Sequence, residues 1–448
     1  MKQPVSQVRN LAVQVLDRVY SGAYSNLELN QVIRHSSLEP RDVRLLTRLV
    51  YGTLQHRLTF RYDLKAFLRH PRRLPQWLII LLEISLYQMF DLSRIPNWAI
   101  LNEAIQIAKV RGNRSERRLV TGVLHNVIRK GVPPLSKIKD PLRFRSVKFS
   151  VPEWIIQQLD SQVGAKKCDS ILRHVNQPKQ TSVNVNVRLI NQKALMNQLV
   201  QDHERPVRSH LAKNGLVTNG RPVAQTNEFK RGLFSIQAES AMLPVESMHI
   251  RPDEKILDTC SAPGGKTCQI AERLSKSAGG MVLACDLHPN RLAKVTQNAK
   301  QLRVNDCLRT QVADAQKLHS SLGQRQFDQI LVDAPCSGLG LIRNKPEIRY
   351  FRQLSDVRRL HQIQVRILLS AANQLKVGGH LVYSTCTILD QENQATINAF
   401  LDRRPNYRLI STRLDLPING RKDYQFVKLY PDDFDSDGFF ICTLVRIK

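Results

Sequence analysis

The sequence predicts a multidomain protein that combines an all-α part with an α/β part. An all-α helical bundle is expected over residues 1–135, a small α+β module over 145–232, and a Rossmann-like α/β domain over 233–448. Apolar residues keep a helical spacing through the first 130 residues, and no strand-like alternation interrupts them. From residue 250 onward, short apolar runs alternate with helical stretches, as in a doubly wound parallel sheet.

The first segment consists of amphipathic stretches separated by basic clusters. Its opening helix shows apolar residues with a period near 3.6, and more helices are expected near 40–53, 77–90, 99–110 and 117–129. The clusters "RHPRR" and "RGNRSERR" lie between or on these helices, and "KGVPPLSK" is expected to end the bundle as a linker.

The most apolar stretch, "WLIILLEISLYQMF" at 77–90, is expected to be a buried helix. It is shorter than the roughly 20 apolar residues that a membrane span needs, and it contains Glu83 and Gln88. No apolar signal core follows the basic start of the chain. We therefore expect a cytoplasmic protein with no membrane segment.

The eight cysteines argue against a metal site. They lie at 168, 260, 268, 285, 307, 336, 386 and 442, with no CxxC pair and no metal-finger spacing. Scattered thiols in a long chain fit a reducing compartment, so no structural metal is expected.

The net charge predicts a polyanionic partner. The 448 residues carry a formal charge of +29 and a pI of about 10.2. Residues 1–140 alone hold 23 lysines and arginines against 10 aspartates and glutamates. Nucleic acid is the first candidate partner and an anionic membrane surface the second.

The middle of the chain and the last part are expected to contain different sheets. "SVPEWIIQQL" predicts a helix, and "TSVNVNVRL" at 181–189 alternates as a half-buried strand does. Beyond 250, strands are expected at 254–259, 280–286, 307–314, 327–333, 379–385 and 437–448, with the clearest helices at 288–302 and 354–376. Ligands of such sheets lie beyond the carboxyl ends of the strands.

The loop "CSAPGGKT" after the first of these strands predicts an adenosine-containing ligand. Its "GGKT" suggests a P-loop, but Cys260 occupies the position that the first P-loop glycine requires. In a Rossmann-like reading, Gly264 and Gly265 let the backbone approach a ligand. Asp286, 21 residues after Gly265, and Asp314 end the next two strands, where a carboxylate can accept from ribose hydroxyls.

Two cysteines are expected to meet beside this loop. The fourth strand ends in Asp333-Ala-Pro-Cys336, and Cys386 follows the fifth in "YSTCT". Carbon 5 of cytosine becomes nucleophilic toward the methyl of S-adenosylmethionine once a thiolate adds to carbon 6. A carboxylic acid such as Asp333 would stabilise the charge that this addition creates. Spacing alone leaves either cysteine as the nucleophile.

Together, "CSAPGGKT", "DAPCSG" and "YSTCTILDQEN" resemble the signature of RNA cytosine-C5 methyltransferases of the NOL1/NOP2/Sun group. "RNKPEIRYFR" and "GLFSIQAES" resemble further stretches of that family, so the resemblance covers about 145–448. The basic helical segment resembles the NusB-like RNA-binding domain of a bacterial member. This architecture implies methylation of 16S ribosomal RNA, or of a small-subunit assembly intermediate, by a class I methyltransferase that we expect to be monomeric.

The resemblance also implies roles for individual residues. Cys386 is implied as the nucleophile, Cys336 as the cysteine that helps to release methylated RNA, and Asp333 as a further catalytic group. S-adenosylmethionine is implied as the cofactor. Its implied contacts are Cys260, Ser261, Ala262, Pro263, Gly264, Gly265, Lys266, Asp286, Asp314 and Asp333.

The stretch after "GLGLI" departs from the family pattern. Many members have Arg-Arg-His-Pro-Asp there, whereas this chain has "RNKPE" and lacks the histidine. Arg343, Lys345 and Arg349 are expected to form a charged loop beside the cleft, where they contact RNA or are simply solvated. Three aromatic residues are candidates for either core or base-stacking positions: Phe234, Tyr350 and Phe351. A noncatalytic RNA-binding or assembly factor is the alternative function.

Overall fold

The computed structural model describes residues 7–201, 205–218, 223–414 and 423–448. The chain forms two compact units. The first unit comprises the chain up to Asn176 together with Asn344–Phe351, and the second comprises Gln177–Arg343 and Arg352–Lys448. The three domain ranges expected from the sequence stay predictions, and the described units divide the chain at different positions.

The first unit is built from helices that bury one common apolar core. The predicted helix at 77–90 is confirmed as a core helix, α5, along which Leu78, Leu82 and Leu86 are fully buried. Among the described residues, no helix is long and apolar enough to cross a membrane. The helices of this unit up to Asn176 are α1 (Gln7–Tyr20), α2 (Ser25–Arg34), α3 (Pro40–Gln55), α4 (Arg57–Lys65), α5 (Gln76–Asp91), α6 (Asn97–Arg111), α7 (Arg114–Lys130), α8 (Pro141–Phe149) and α9 (Glu153–His174).

Local sequence signals explain where some of these helices begin and end. Asn113 caps α7 by accepting from the backbone of Glu116, whose side chain accepts in return from the Asn113 N–H. Asp140 caps α8 by accepting from the Arg143 N–H. These caps satisfy backbone donors that have no partner within the helix.

The second unit begins with a small antiparallel sheet. Its strands are β1 (Thr181–Val185), β2 (Pro206–Arg208), β3 (Gly215–Thr218) and β4 (Phe234–Ile236), in the order β2-β3-β1-β4. The sheet confirms the α+β character expected for this region. Val183, Leu216 and Phe234 are buried in its core. Phe234 is therefore a core residue and not a base-stacking platform.

A larger, mixed sheet forms the centre of the second unit, with the strand order β10-β14-β9-β8-β5-β6-β7. The strands are β5 (Lys255–Asp258), β6 (Met281–Asp286), β7 (Leu308–Val312), β8 (Phe327–Asp333), β9 (Leu375–Thr385), β10 (Tyr407–Ile410) and β14 (Phe439–Arg446). Short strands follow β10 in the chain and precede β14: β11 (Thr412–Arg413), β12 (Asp423–Tyr424) and β13 (Val427–Leu429).

The sheet confirms the predicted strands but corrects the direction of the last one. Strands β5 to β9 are mutually parallel, as expected. Strand β14 pairs antiparallel with both β9 and β10. The expectation of a parallel sheet is therefore wrong for β14, which runs antiparallel to both of its neighbours in the strand order. Antiparallel pairing does not need the crossover helix that joins parallel neighbours.

Helices cover both faces of this sheet. Successive strand residues point to opposite faces, so Ile256 packs in one apolar cluster and Leu257 in the other. Ile270 and Val295 pack on the first face, and Leu368 on the second. The remaining helices are α10 (Gln192–Gln201), α11 (Asn227–Lys230), α12 (Glu239–Glu246), α13 (Gly265–Ala271), α14 (Pro289–Gln301), α15 (Leu318–Leu322), α16 (Ile348–Phe351), α17 (Leu354–Ala372) and α18 (Gln394–Leu401).

Helix α16 and the residues before it belong to the helical unit. The buried Glu347 carboxylate accepts from the Ser25 N–H and hydroxyl at 3.1 and 2.9 Å, at the start of α2. The buried Arg349 guanidinium donates to the Ser150 and Val175 carbonyls and to Asn176 Oδ1, where α8 and α9 end. A carboxylate at a helix N-terminus and a cation at helix C-termini both suit the helix dipole.

The expectation that Arg349 is solvated or contacts RNA is therefore wrong, because its guanidinium is buried within the first unit. The Tyr350 hydroxyl donates to the Leu54 carbonyl at 2.7 Å, and Phe351 packs against the helical core. These two aromatic residues have packing roles in the first unit. An arginine can be buried where helix ends supply carbonyl acceptors for its guanidinium. Because those acceptors come from distant segments, the local sequence gives no signal of this burial.

Candidate active site

The candidate site lies where four parallel strands end. In the register of the sheet, Asp258 pairs with Leu331, and Asp333 pairs with Ser384. The loops that follow β5, β6, β8 and β9 therefore leave the same edge of the sheet. This edge brings together the glycine loop, the strand-end acids and both cysteine loops, as the sequence predicts.

The loop from Cys260 to Lys266 is fixed by its neighbours. The Ser261 N–H and hydroxyl both donate to the Cys285 carbonyl of β6, at 2.9 and 3.0 Å. The carbonyls of Ala262 and Pro263 accept from Arg291 and Asn298 of α14. The Ser261 side chain thus shapes the loop from within.

The glycines allow this loop to turn sharply into α13. Gly264 has a φ of +109°, in the region that glycine adopts without strain. A Cβ at this position would lie 3.0 Å from Val295 Cα of α14. At Gly265, a Cβ would meet nothing nearer than Gln237 Oε1 at 3.7 Å, so its side of the loop is open.

Asp258 is a site residue that the sequence analysis missed. It ends β5 directly before the loop and is almost fully buried, and the Thr267 hydroxyl donates to its Oδ2 at 2.6 Å. Its Oδ1 is buried with no hydrogen-bond partner in the described structure. Burial raises the pKa of Asp258 from 3.8 to about 7, against the opposing effect of the Thr267 hydrogen bond. The available signal was an aspartate at the end of the first strand.

Asp286 and Asp314 end or follow the next two strands, as expected. Asp286 is buried, accepts from the His288 N–H at 3.1 Å, and lies 3.3 Å from the Arg291 guanidinium. Asp314 is half-buried and caps the turn that follows β7 through the Gln316 N–H. Their proposed ligand contacts stay predictions.

Asp333 forms the polar centre of the site with Lys266 and Ser384. The Lys266 ammonium lies 2.7 Å from Asp333 Oδ2, and the Ser384 hydroxyl donates to Oδ1 at 2.8 Å. Burial lowers the pKa of Lys266, but the charge of Asp333, with a smaller contribution from Cys386, outweighs it and leaves the pKa raised. Lys266 therefore stays protonated beside Asp333. The family resemblance implied Lys266 only as a cofactor contact.

The two predicted cysteines meet. Cys336 Sγ and Cys386 Sγ lie 3.3 Å apart, and both residues are partly exposed. The hydrogen bond to Cys386, followed by burial, raises the pKa of Cys336 well above its ordinary value. At neutral pH, Cys336 therefore remains a protonated thiol. Burial also raises the pKa of Cys260, so its thiol is not an activated nucleophile.

Arg343 is not part of an exposed RNA-contacting loop. Its side chain is fully buried, 2.8 Å from the Asp435 carboxylate, and it donates to the Gln177 and Pro178 carbonyls. The expectation of a solvated or RNA-contacting arginine is therefore wrong here, because acceptors from two other segments bind the buried guanidinium.

Comparisons with known proteins show which families the chain is similar to. The model of the family "16S rRNA methyltransferase RsmB/F" matches residues 245–445, and that of the NusB family matches residues 6–129. The chain is 38% identical over 445 residues, 98% of both chains, to the probable ribosomal RNA small subunit methyltransferase B of Bacillus subtilis strain 168.

Solved structures share the fold. The crystal structure of PH0851 has a TM-score of 0.83 over the whole of both chains at 24% identity. The structure of NSun6 from Pyrococcus horikoshii with SFG has a TM-score of 0.58 and is 22% identical, covering 66% of this chain and 98% of that one.

The mixed sheet with its five parallel strands, the glycine loop and the family models together define a class I methyltransferase domain that follows a NusB-like helical domain in the chain. The chain belongs to the ribosomal RNA small subunit methyltransferase B family. Its cofactor is S-adenosylmethionine. The site fits this cofactor, because the buried Asp258 Oδ1 offers an unused acceptor beside the open glycine loop.

Proposed function

We propose that this protein methylates carbon 5 of a cytosine in 16S ribosomal RNA through a covalent bond from Cys386 to the base. The single observation that carries the proposal is the 3.3 Å approach of Cys386 and Cys336 next to the Lys266–Asp333 pair. A binding factor needs no such pair of thiols at the edge where a class I domain takes its cofactor.

The chemistry begins with the Cys386 sulfur as nucleophile. Its thiolate adds to carbon 6 of the cytosine, and the electron pair of the carbon 5–carbon 6 double bond becomes available at carbon 5. S-adenosylmethionine, when bound, supplies an electrophilic methyl group for carbon 5. The proton on carbon 5 then leaves to a base, the double bond re-forms, and the Cys386 sulfur is expelled.

Lys266 is suited to stabilise the base during addition, and Asp333 to hold Lys266 in place. Negative charge develops on the pyrimidine ring when the thiolate adds, and an acid or ammonium beside the ring edge favours that state. Lys266 is held protonated by Asp333, and Ser384 fixes the second carboxylate oxygen. The three side chains thus form a rigid polar contact for a flipped cytosine.

Cys336 is proposed as the second cysteine, which helps to release the methylated RNA. Its raised pKa keeps a proton on sulfur within 3.3 Å of the Cys386 sulfur. A neighbouring thiol can hydrogen-bond to the departing sulfur and so assist the elimination.

The RNA is proposed to be a small-subunit rRNA or its assembly intermediate, bound by a monomer. The B. subtilis relative is named for such an activity over nearly its full length. The net charge of +29 and the basic first 140 residues supply contacts to phosphates. These contacts orient the RNA, while base chemistry is left to the cysteine site.

Replacement of the nucleophile tests this proposal. Cys386→Ala is expected to lower tritium release from carbon-5-tritiated cytosine in 16S rRNA by at least about 10⁴-fold, because carbon 5 is never activated. The measurement is single-turnover tritium release with saturating S-adenosylmethionine. Cys442→Ala, a buried cysteine on β14, is the matched control and should retain release. Release at the wild-type rate by Cys386→Ala would refute the role of Cys386.

A further inference from the structure

Glu392 lies behind the two cysteines and is completely buried. Its carboxylate accepts from neutral donors within the described structure: the Ser337 N–H at 2.8 Å, the Ser337 hydroxyl at 2.5 Å, the Thr387 hydroxyl at 3.1 Å and the Gln364 amide at 3.1 Å. Nothing in the proposed chemistry uses this residue. A buried carboxylate held only by neutral donors costs free energy, so its presence calls for a reason.

Two of the residues that donate to Glu392 are the direct neighbours of the cysteines, whereas Gln364 lies on α17. Ser337 directly follows Cys336, and Thr387 directly follows Cys386. The Ser337 and Thr387 hydroxyls also lie 2.8 Å from each other. One carboxylate therefore joins the two loops immediately beside both sulfur atoms.

The neighbouring residue extends this link to the other side of Cys386. Asn393 Oδ1 accepts from the Thr385 hydroxyl at 2.5 Å, and its amide donates to the Thr387 carbonyl at 3.1 Å. The Tyr383 hydroxyl donates to the Glu392 carbonyl at 2.7 Å and fixes the turn that carries both residues to β9. Both chain neighbours of Cys386 are thus held by hydrogen bonds to Glu392 or Asn393, and so is the residue that follows Cys336.

We propose that Glu392 is a positioning residue that sets the distance between the Cys336 and Cys386 sulfur atoms. The inference rests on the proposed function, because that distance matters to the reaction only if both thiols take part. Positioning is expected to matter there, since a displacement of about 1 Å from the reacting geometry can cost about 10²-fold in rate.

A glutamine side chain at position 392 can hydrogen-bond to the same groups as the Glu392 carboxylate. Glutamine keeps one carbonyl acceptor for the Ser337 N–H, and its NH₂ can donate to the Ser337 and Thr387 hydroxyls, which also accept. Alanine removes the bonds that Glu392 makes to both loops, so the Ser337–Thr387 hydroxyl contact and the bond from the Gly340 N–H to the Cys386 carbonyl are left to hold them. Glu392→Gln should therefore preserve the sulfur separation and Glu392→Ala should lose it.

Disulfide trapping measures the separation without RNA or cofactor. Glutathione disulfide oxidises the two thiols to a Cys336–Cys386 disulfide and is itself reduced to two glutathione thiols, which take up the two protons. The rate is followed by alkylation and mass spectrometry of the linked peptides in the folded protein. Glu254→Ala is the matched control, because Glu254 is a buried carboxylate at the opposite end of β5, held by Gln329.

We expect the disulfide to form at least about tenfold more slowly in Glu392→Ala than in the wild type, Glu392→Gln and Glu254→Ala. The same rate in folded Glu392→Ala as in wild type would overturn the proposal. If Glu392→Ala does not fold, the milder double variant Ser337→Ala/Thr387→Val decides by the same criterion, because it removes both hydroxyl donors.

A second readout separates this inference from the proposed function. With RNA and S-adenosylmethionine, Glu392→Ala should show a larger loss of kcat than of apparent RNA affinity, and Glu392→Gln should restore kcat. Absence of methyl transfer in the wild type would refute the proposed function, yet the trapping rates would still decide whether Glu392 sets the distance.

Discussion

At the scale of single residues, the site depends on how each charged group is held. Asp333 has a cation and a hydroxyl as partners, whereas Asp258 accepts from the Thr267 hydroxyl and its Oδ1 has no hydrogen-bond partner among the described residues. The pKa of Asp258 accordingly rises to about 7 through burial. The folded protein thus binds the Asp258 proton more tightly than the unfolded chain does.

This binding predicts a pH dependence of stability without cofactor. The contribution of Asp258 to the free energy of unfolding is fully present below pH 4, the range of its unfolded pKa, and is lost as the pH rises through about 7. Asp258→Asn should remove this loss. Its free energy of unfolding should therefore fall less between pH 4 and pH 8 than that of the wild type, by an amount on the order of a few kcal/mol. Urea unfolding followed by circular dichroism at the two pH values measures it. Equal falls in both proteins would contradict the assigned pKa.

At the scale of elements, the segment Asn344–Phe351 is a structural part of the helical unit. Arg349 supplies hydrogen bonds to carbonyls at two helix ends, and Glu347 supplies acceptors at the start of α2. Each buried charged hydrogen bond contributes about 1.5–3 kcal/mol, and lost donors leave carbonyls unpaired. The segment therefore stabilises helices that lie far from it in sequence.

Arg349→Ala is expected to destabilise this unit by about 2–4 kcal/mol, because the Ser150 and Val175 carbonyls and Asn176 Oδ1 lose their donor. The three tryptophans of the chain, at 77, 98 and 154, all belong to this unit, so tryptophan fluorescence in urea reports on it selectively. Lys345→Ala, at a half-buried position of the same segment, is the control. An unchanged unfolding midpoint for Arg349→Ala would show that the segment does not stabilise the helices.

Much of the fold, and part of the site, is predictable from the sequence of individual elements. The five parallel strands, the glycine loop and the meeting of Cys336 with Cys386 follow from local patterns plus one rule, that parallel strands end at a common edge. The burial and hydrogen-bond partners of Arg343, Arg349 and Glu392 do not follow from local sequence patterns. Each is decided by partners far away in the chain, and the sequence of a loop does not reveal which buried carbonyls or hydroxyls will reach it.

At the scale of the whole molecule, the two units have different tasks in the proposed function. The helical unit carries nearly half of the excess positive charge in its first 140 residues, which suits it to hold RNA phosphates. The methyltransferase unit holds the cofactor loop, the acids and both cysteines within its own contacts. Chemistry at the base therefore depends on a thiol pair that one unit builds alone.

The central claim is that the Cys386 sulfur bonds to the cytosine, and mapping a trapped RNA adduct tests it most directly. Cys336→Ala is incubated with 16S rRNA and S-adenosylmethionine, separated under denaturing conditions and digested, and the peptide that carries a nucleotide is identified by mass spectrometry. Because release is slowed, we expect an adduct on Cys386 in Cys336→Ala and none in Cys386→Ala or the double variant. An adduct on Cys336 in Cys386→Ala, or none in any variant that binds RNA, would contradict the account.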